Sequence, residues 1–393
     1  MSLRLCTLAA LLGAAVGCGK PHSPPAETLP DAGLQGDALT ESTACTIRDV
    51  VSAQHHSCAL ATGGAVFCWG SNELGELGKA TTSPGLPVQV SLPKPASQLS
   101  VGRQRSCARL ANGTAFCWGR TPDSVDAAPV SQPPTLLALP GNVADVGAGG
   151  AHVCALTIFG QILCAGQASS VGDGTGKAQA VPVLLGDAST AHSVRTLSTG
   201  LYHTCALTRV GAILCWGRQP DDLGPPDGNF PLIPTVEERI GAGVVQIAAG
   251  HARTCVVHGD KTVSCLPGLD IATVGAFGRD NSAIGPGEAH TCVLKTGGTV
   301  SCAGDNGLGQ LGNGLQTTPP AGSVFTVALP AKATRLSVGS AHACAVLTDL
   351  SVWCWGRGTE GQLGQGMLQS SATPVRVALP EKCTASAATP TRP

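Results

Sequence analysis

Cysteine is the residue type in this chain with the most chemistry to offer. Fourteen of the 18 cysteines form seven pairs with nine residues between partners: Cys58-Cys68, Cys107-Cys117, Cys154-Cys164, Cys205-Cys215, Cys255-Cys265, Cys292-Cys302 and Cys344-Cys354. Such pairs can close disulfides or hold metal. Structural zinc gathers four ligands from knuckles with two to four intervening residues, and seven separate pairs divide badly into fours. An even, regular set reads instead as a disulfide framework in an oxidising compartment.

Histidine is the second candidate. His56, His152, His203, His290 and His342 recur two residues before the first cysteine of a pair, with Arg105 and Arg253 in the same place in the other two copies. Imidazoles spread round several copies of a module stay too far apart for one ion. Each is expected to hydrogen-bond a turn within its own repeat. Asp126, Asp145, Asp173, Asp187, Asp221, Asp222, Asp280 and Asp305 are scattered without paired-carboxylate spacing, and no serine sits in Gly-x-Ser-x-Gly. The Gly-Gln-Leu-Gly elements at Gly309–Gly312 and Gly361–Gly364 lack the Lys-Ser/Thr of a phosphate loop and read as turns. The sequence gives no reason to expect a catalytic residue, a cofactor or a metal.

These residues must be positioned by a repeat. Starts of successive copies lie 49, 47, 51, 50, 37 and 52 residues apart, and a period near ~50 signals a propeller or solenoid. Within one copy, Cys58-Ala-Leu60 and Val66-Phe-Cys68 alternate as short strands across Thr62-Gly63-Gly64. The glycines supply the positive φ of a tight hairpin. Pairing Ala61 with Ala65 sets Leu60 opposite Val66 and Cys58 opposite Cys68. Directly opposed Cβ atoms lie roughly 4.5–5.5 Å apart, within reach of a disulfide. Closing each small loop is worth about 2.5–3 kcal/mol in the chain-entropy account, useful where aromatics are only 3% of residues. Trp69, on the other face from Cys68, is expected to fill the gap between neighbouring sheets.

Net charge is −1 and only 12% of residues are charged, which leaves no global electrostatic case for nucleic acid or acidic lipid. At the N-terminus Arg4 precedes an apolar run from Leu5 to Val16, too short to span a bilayer. It ends in Ala15-Val16-Gly17-Cys18 and resembles a bacterial lipoprotein signal, which implies lipidation of Cys18; an ordinary secretory signal is the alternative. The expected organisation is a signal over 1–17, a Pro/Ala/Gly/Ser-rich flexible tether over 18–44, a repeat domain over 45–383 and a disordered tail over 384–393.

The remaining cysteines, Cys45 and Cys383, stand at the two ends of the repeats. A linear solenoid would hold them about seven modules apart, whereas a closed ring brings them together, so a Cys45-Cys383 disulfide is expected to latch the ring. The repeats resemble the regulator-of-chromosome-condensation family: Gly-x-x-His-x-x-Ala-Leu, then Gly-x-Val-x-x-Trp-Gly, then Gly-Gln-Leu-Gly. Trp-Gly is kept at Trp69, Trp118, Trp216 and Trp355 and replaced by Ala165, Leu266 and Ala303. Gly-Glu-Leu-Gly stands at Gly75–Gly78, and the element is eroded in copies 2 to 5. The resemblance implies an all-β, seven-bladed β-propeller of four-stranded antiparallel blades, with blade 5 shortened; a six-bladed ring is the alternative.

The family includes a nuclear nucleotide-exchange factor that docks on histones and DNA, and secreted inhibitors of β-lactamases. The first role does not suit an exported, near-neutral chain. The expected role is a non-catalytic, monomeric scaffold at the bacterial cell envelope, anchored through its N-terminal lipid and binding a protein or glycan. A secreted form is the alternative for location. An inhibitor of an extracytoplasmic enzyme, or a hydrolase or lyase with a loop-built site, are the alternatives for function. The least repetitive loops, 121–134, 168–178, 218–238 and 271–287, are the expected contact regions. Arg120, Arg218, Asp221, Asp222 and Phe230 are the candidate contacts.

Overall fold

The computed structural model describes residues 45–81, 85–120, 133–139, 141–150, 152–166, 181–183, 194–217, 234–236, 243–251, 253–266 and 275–382. Seven antiparallel sheets follow one another along the chain. In blade 1 the strands are Ile47–Ser52, His56–Ala61, Val66–Gly70 and Val88–Val90, hydrogen-bonded in sequence order. Six sheets have four strands. Blade 5 has three among the described residues, Val244–Ala249, Thr254–His258 and Val263–Leu266. Its copy is the short one, and only 14 positions separate Leu266 from the first strand of blade 6 at Asn281–Pro286.

The hairpin register is the one the alternation demands. Leu60 pairs with Val66 and Cys58 with Cys68, while Ala61 N–H donates to Ala65 O. All seven cysteine pairs oppose one another in this way, as disulfides with Cα atoms 4.0–4.1 Å apart. That approach fits a non-hydrogen-bonded antiparallel pair, where strands come closest. The last hairpin residue has φ of +65 to +88° in every blade: Gly64, Gly113, Gly160, Gly211, Lys261, Gly298 and Leu350.

The core is a set of seven joints between neighbouring blades, not one central mass. Each buried apolar cluster draws from two adjacent blades, and the seventh joins blade 7 to blade 1: Ile47, Val50 and Trp69 against Val346, Val352, Leu363 and Val377. The ring is therefore closed. Cys45 N–H donates to Glu381 O at 2.9 Å, so the two ends of the repeat array meet. Cys45 is disulfide-bonded; Cys383, the partner expected for it, lies outside the described residues, as do Cys18, the tether and the tail.

Three joints carry a lock that explains why Trp-Gly and Gly-x-Leu-Gly belong to one repeat pattern. Trp69 Nε1 donates to Gln362 O at 2.8 Å, Trp118 Nε1 to Glu76 O at 2.8 Å and Trp355 Nε1 to Gln310 O at 3.1 Å. Each carbonyl belongs to the Gly-x-Leu-Gly loop of the preceding blade. The loop leucines Leu363, Leu77 and Leu311 are fully buried in the same joints. The last glycine of each loop, at φ +62 to +70°, lies against the indole; a Cβ there would stand 2.9 Å from Trp Cδ1. Trp69 thus fills an interblade gap, and it does so with a partner loop.

Candidate functional site

Chain direction gives the ring two unlike faces. First-to-second-strand turns and third-to-fourth-strand loops lie on one, the loop face. The second-to-third-strand hairpins and the blade-to-blade connectors lie on the other, the hairpin face, where the first strand of blade 1 also begins. This follows from the antiparallel order in every sheet.

The histidines sit just inside the loop face and bridge blades. His56 Nε2 meets Ser106 Oγ at 2.8 Å, His152 meets Thr204 Oγ1 at 2.6 Å, His203 meets Thr254 Oγ1 at 2.7 Å and His342 meets Ser57 Oγ at 2.8 Å. In each case the hydroxyl lies in the next blade, one residue after the histidine position there. The expectation of a turn within the same repeat is corrected: the ring packs against its own turn, where a Cβ on Gly149 would collide with His152 Cε1, yet that turn gives Nδ1 no hydrogen bond and Nε2 finds the hydroxyl of the next blade. His342 reaching Ser57 closes the circle. Burial holds His56, His152 and His342 down to about 3, and His203 and His290 to about 4.

A histidine within 2.8 Å of a hydroxyl resembles a base beside a nucleophile, but the surroundings argue otherwise. Both groups are buried, the imidazole is too weak a base, and Nδ1 of His56, His152, His203 and His342 has no partner to orient it. Ser106 Oγ also donates to Glu76 O at 3.0 Å, so His56 must donate its Nε2 proton. These are neutral struts. Three joints break the rule, the first being Arg105 facing a copy with Val153 in place of the hydroxyl. His290 faces the copy with Ala343 and its ring nitrogens have no hydrogen-bond partner; the Ser340 carbonyl is near without hydrogen-bond geometry. Thr291 Oγ1, following Arg253 in order, is buried and unpartnered.

On the axis, turns from all seven blades surround a cavity of about 70 Å³. Gln54, Arg103, Gly150, Leu201, His251 and Ser340 stand at equivalent positions and line it. Burial is the main cause that lowers the His251 pKa; Glu288 opposes it and Arg103 adds to it. Side-chain hydroxyls at the wall, on Ser52, Thr199 and Ser340, make no hydrogen bond to a histidine or carboxylate. A volume this small holds a few waters. Among the described residues no group of three or more His, Cys, Asp or Glu could hold a metal ion.

Further out on the loop face, an apolar patch spans the seam where blade 7 meets blade 1. Leu86 is 40% exposed, Met367 55% and Leu368 52%. A Cβ on Gly85 would lie 3.5 Å from Leu368 Cδ2, and one on Gly366 3.1 Å from Leu86 Cδ2. Gly366 N–H donates to Gly85 O at 3.0 Å, tying the two loops together.

Of the sequence candidates, Arg120 is half-buried at the end of the third strand of blade 2, with Nη1 donating to Gln104 Oε1 at 3.0 Å. Arg218, Asp221, Asp222 and Phe230 lie outside the described residues, as do most of the loops over 121–134, 168–178 and 218–238. In the fourth loop, Phe277 is fully buried in the joint between blades 5 and 6, filling space instead of offering contact. The patch at Leu86, Met367 and Leu368 escaped sequence reading because it grows from the most regular loops. Its signal is Met367-Leu368, two apolar residues that follow the Gly361–Gly364 turn after Gln365 and Gly366.

Two models of the regulator of chromosome condensation (RCC1) repeat match the chain, one at residues 63–109 and 351–389 and the other at 47–76, 194–221, 283–310 and 333–362. Among solved structures, the CRINKLY WD40 ectodomain of receptor kinase ACR4 from Arabidopsis thaliana is 18% identical with a TM-score of 0.51, over 80% of this chain and 97% of that one. The ectodomain of receptor kinase CR4 from Physcomitrella patens is 19% identical with a TM-score of 0.50, over 79% and 74%. Prp20p from Saccharomyces cerevisiae is 19% identical with a TM-score of 0.47, over 85% and 77%. The chain has an RCC1-repeat, seven-bladed β-propeller fold.

Proposed function

We propose that this chain is a member of the RCC1-repeat family that acts as a non-catalytic, lipid-anchored scaffold of the cell envelope, binding a protein partner on its loop face. The observation that carries the reading is the patch of Leu86, Met367 and Leu368. Exposed apolar side chains on loops tied to each other across a rigid joint can dock a partner with little ordering cost. The disulfides require an oxidising compartment. The apolar run ending at Cys18 supports the anchor, with the domain over 45–383 standing off on the 18–44 tether. A protein suits this face better than a glycan, because sugar recognition calls for exposed aromatic platforms. Among the described residues, Tyr202 near the axis is half-buried, and the exposed Phe159 is on the hairpin face.

Affinity capture from intact envelopes with the tagged full chain tests the reading. One protein should be recovered with wild type and lost, by at least about tenfold, with Leu86→Glu/Leu368→Glu. Equal recovery with that variant, verified as folded by its melting curve, would place the partner elsewhere.

A further inference from the structure

We infer that the hairpin face seats on a lipid surface, so that the chain lies with this face against the membrane and its loop face outward. The inference rests on the lipid anchor proposed above and adds the orientation that the anchor alone does not determine.

The seven hairpin tips occupy equivalent places, and five follow turn chemistry at their first two positions: Thr62-Gly63, Ala111-Asn112, Gly259-Asp260, Thr296-Gly297 and Thr348-Asp349. Blades 3 and 4 depart from it with Ile158-Phe159 and Arg209-Val210. These side chains gain nothing from burial: Ile158 is 57% exposed, Phe159 68% and Val210 80%. The third tip position has positive φ in all seven blades, and glycine serves in five of them. The exceptions, Lys261 at φ +67° and Leu350 at φ +65°, are the non-glycine residues with positive φ among the described residues. The hairpin closes through this positive φ, so a side chain there carries backbone strain that glycine avoids. Leu350 is 41% exposed. The two strained tips therefore present one apolar and one basic side chain, the pair of chemistries a bilayer interface takes up.

Charge on this face agrees. Asp260 is paired with Arg279 and Asp280 with Lys295. Lys94, Arg195, Arg209, Lys261, Lys332 and Lys382 are exposed there without a carboxylate partner among the described residues. Among the described residues, Asp349 and Glu381 are the acids left to oppose them. Cations so placed are drawn to the negative surface potential of anionic lipid. The chain also enters the ring on this face, since the first strand runs from Ile47 away from it.

Two measurements keep orientation and anchoring apart. The first is hydrogen exchange of the lipidated full chain on vesicles of phosphatidylethanolamine and phosphatidylglycerol, compared with the Cys18→Ser chain in solution. Protection should appear at residues 157–161, 208–212 and 348–351 and not at Leu86 or Leu368. An anchored chain with unprotected tips would overturn this inference and leave the anchor standing. The second is flotation of the Cys18→Ser chain with the same vesicles. Phe159→Glu/Val210→Glu should weaken binding at least about tenfold, and phosphatidylcholine vesicles should bind less than anionic ones. Binding unchanged by the tip variant would sink the inference. Tip-dependent binding by a chain whose wild type carries no lipid would uphold it and remove the anchor.

Discussion

The joints from blade 6 through 7 and 1 to 2 differ from those between blades 2 and 6. The first three bury eleven, thirteen and twelve apolar residues, and each holds a Trp locked to a Gly-x-Leu-Gly loop. The other four bury seven to nine among the described residues. The seam where the chain ends meet is thus one of the best-packed places in the ring. The lock also explains why its parts are lost together. Blades 3, 5 and 6 lack the Trp, and each follows a blade whose loop has eroded; a loop without an indole to cap has nothing left to select its sequence. Trp216 is the exception, and its Nε1 is buried without a partner.

Acid should test both arcs at once and have the largest effect. The folded pKa of the five histidines is depressed from about 6.5 to about 3 or 4. The unfolded chain therefore binds more protons than the native one between those values. Stability is fully present above pH 6.5 and is lost as pH falls toward 4. Asp49 and Glu76, raised by burial, act in the opposite sense. The melting temperature is expected to fall by about 10 °C or more from pH 7 to pH 4. A flat profile would mean the imidazoles are not neutral struts.

Trp→Phe separates the arcs directly. Trp355→Phe leaves Gln310 O unpaired and should cost about 1–3 kcal/mol in denaturant melts. Trp216→Phe removes an N–H that already lacks a partner and should cost less than about 1 kcal/mol. Equal losses would break the comparison. The smallest effect should have the opposite sign: Ala343→Ser offers His290 the hydroxyl that other blades provide and should stabilise by about 0.5–1.5 kcal/mol. His342→Ala, which takes the imidazole from Ser57 and leaves it Ser52 Oγ at 3.2 Å, is its destabilising counterpart.

Much of this fold was legible from residues. The nine-residue spacing sets Cys58 opposite Cys68 because a hairpin closed by Gly64 leaves no other register. Ring closure followed from Cys45 and Cys383 marking the ends of the repeats. The locks were less legible, since each joins residues about 45 to 290 positions apart, as Trp355 to Gln310 and Trp69 to Gln362. The rule that a hydroxyl follows the histidine position in the next blade was written in His56 and Ser106, but reading it needs the knowledge that blades touch there. The exposed patch was hidden for a different reason. Sequence irregularity points to 218–238, whereas Leu86, Met367 and Leu368 stand beside the most regular turns.

Native-state hydrogen exchange, resolved by blade, tests the central claim that closure is as strong as any other joint. The second strands of blades 7 and 1, His342–Leu347 and His56–Ala61, should exchange most slowly, and those of blade 5 fastest. Early exchange at the seam between blades 7 and 1, with blades 3 to 5 still protected, would contradict the account.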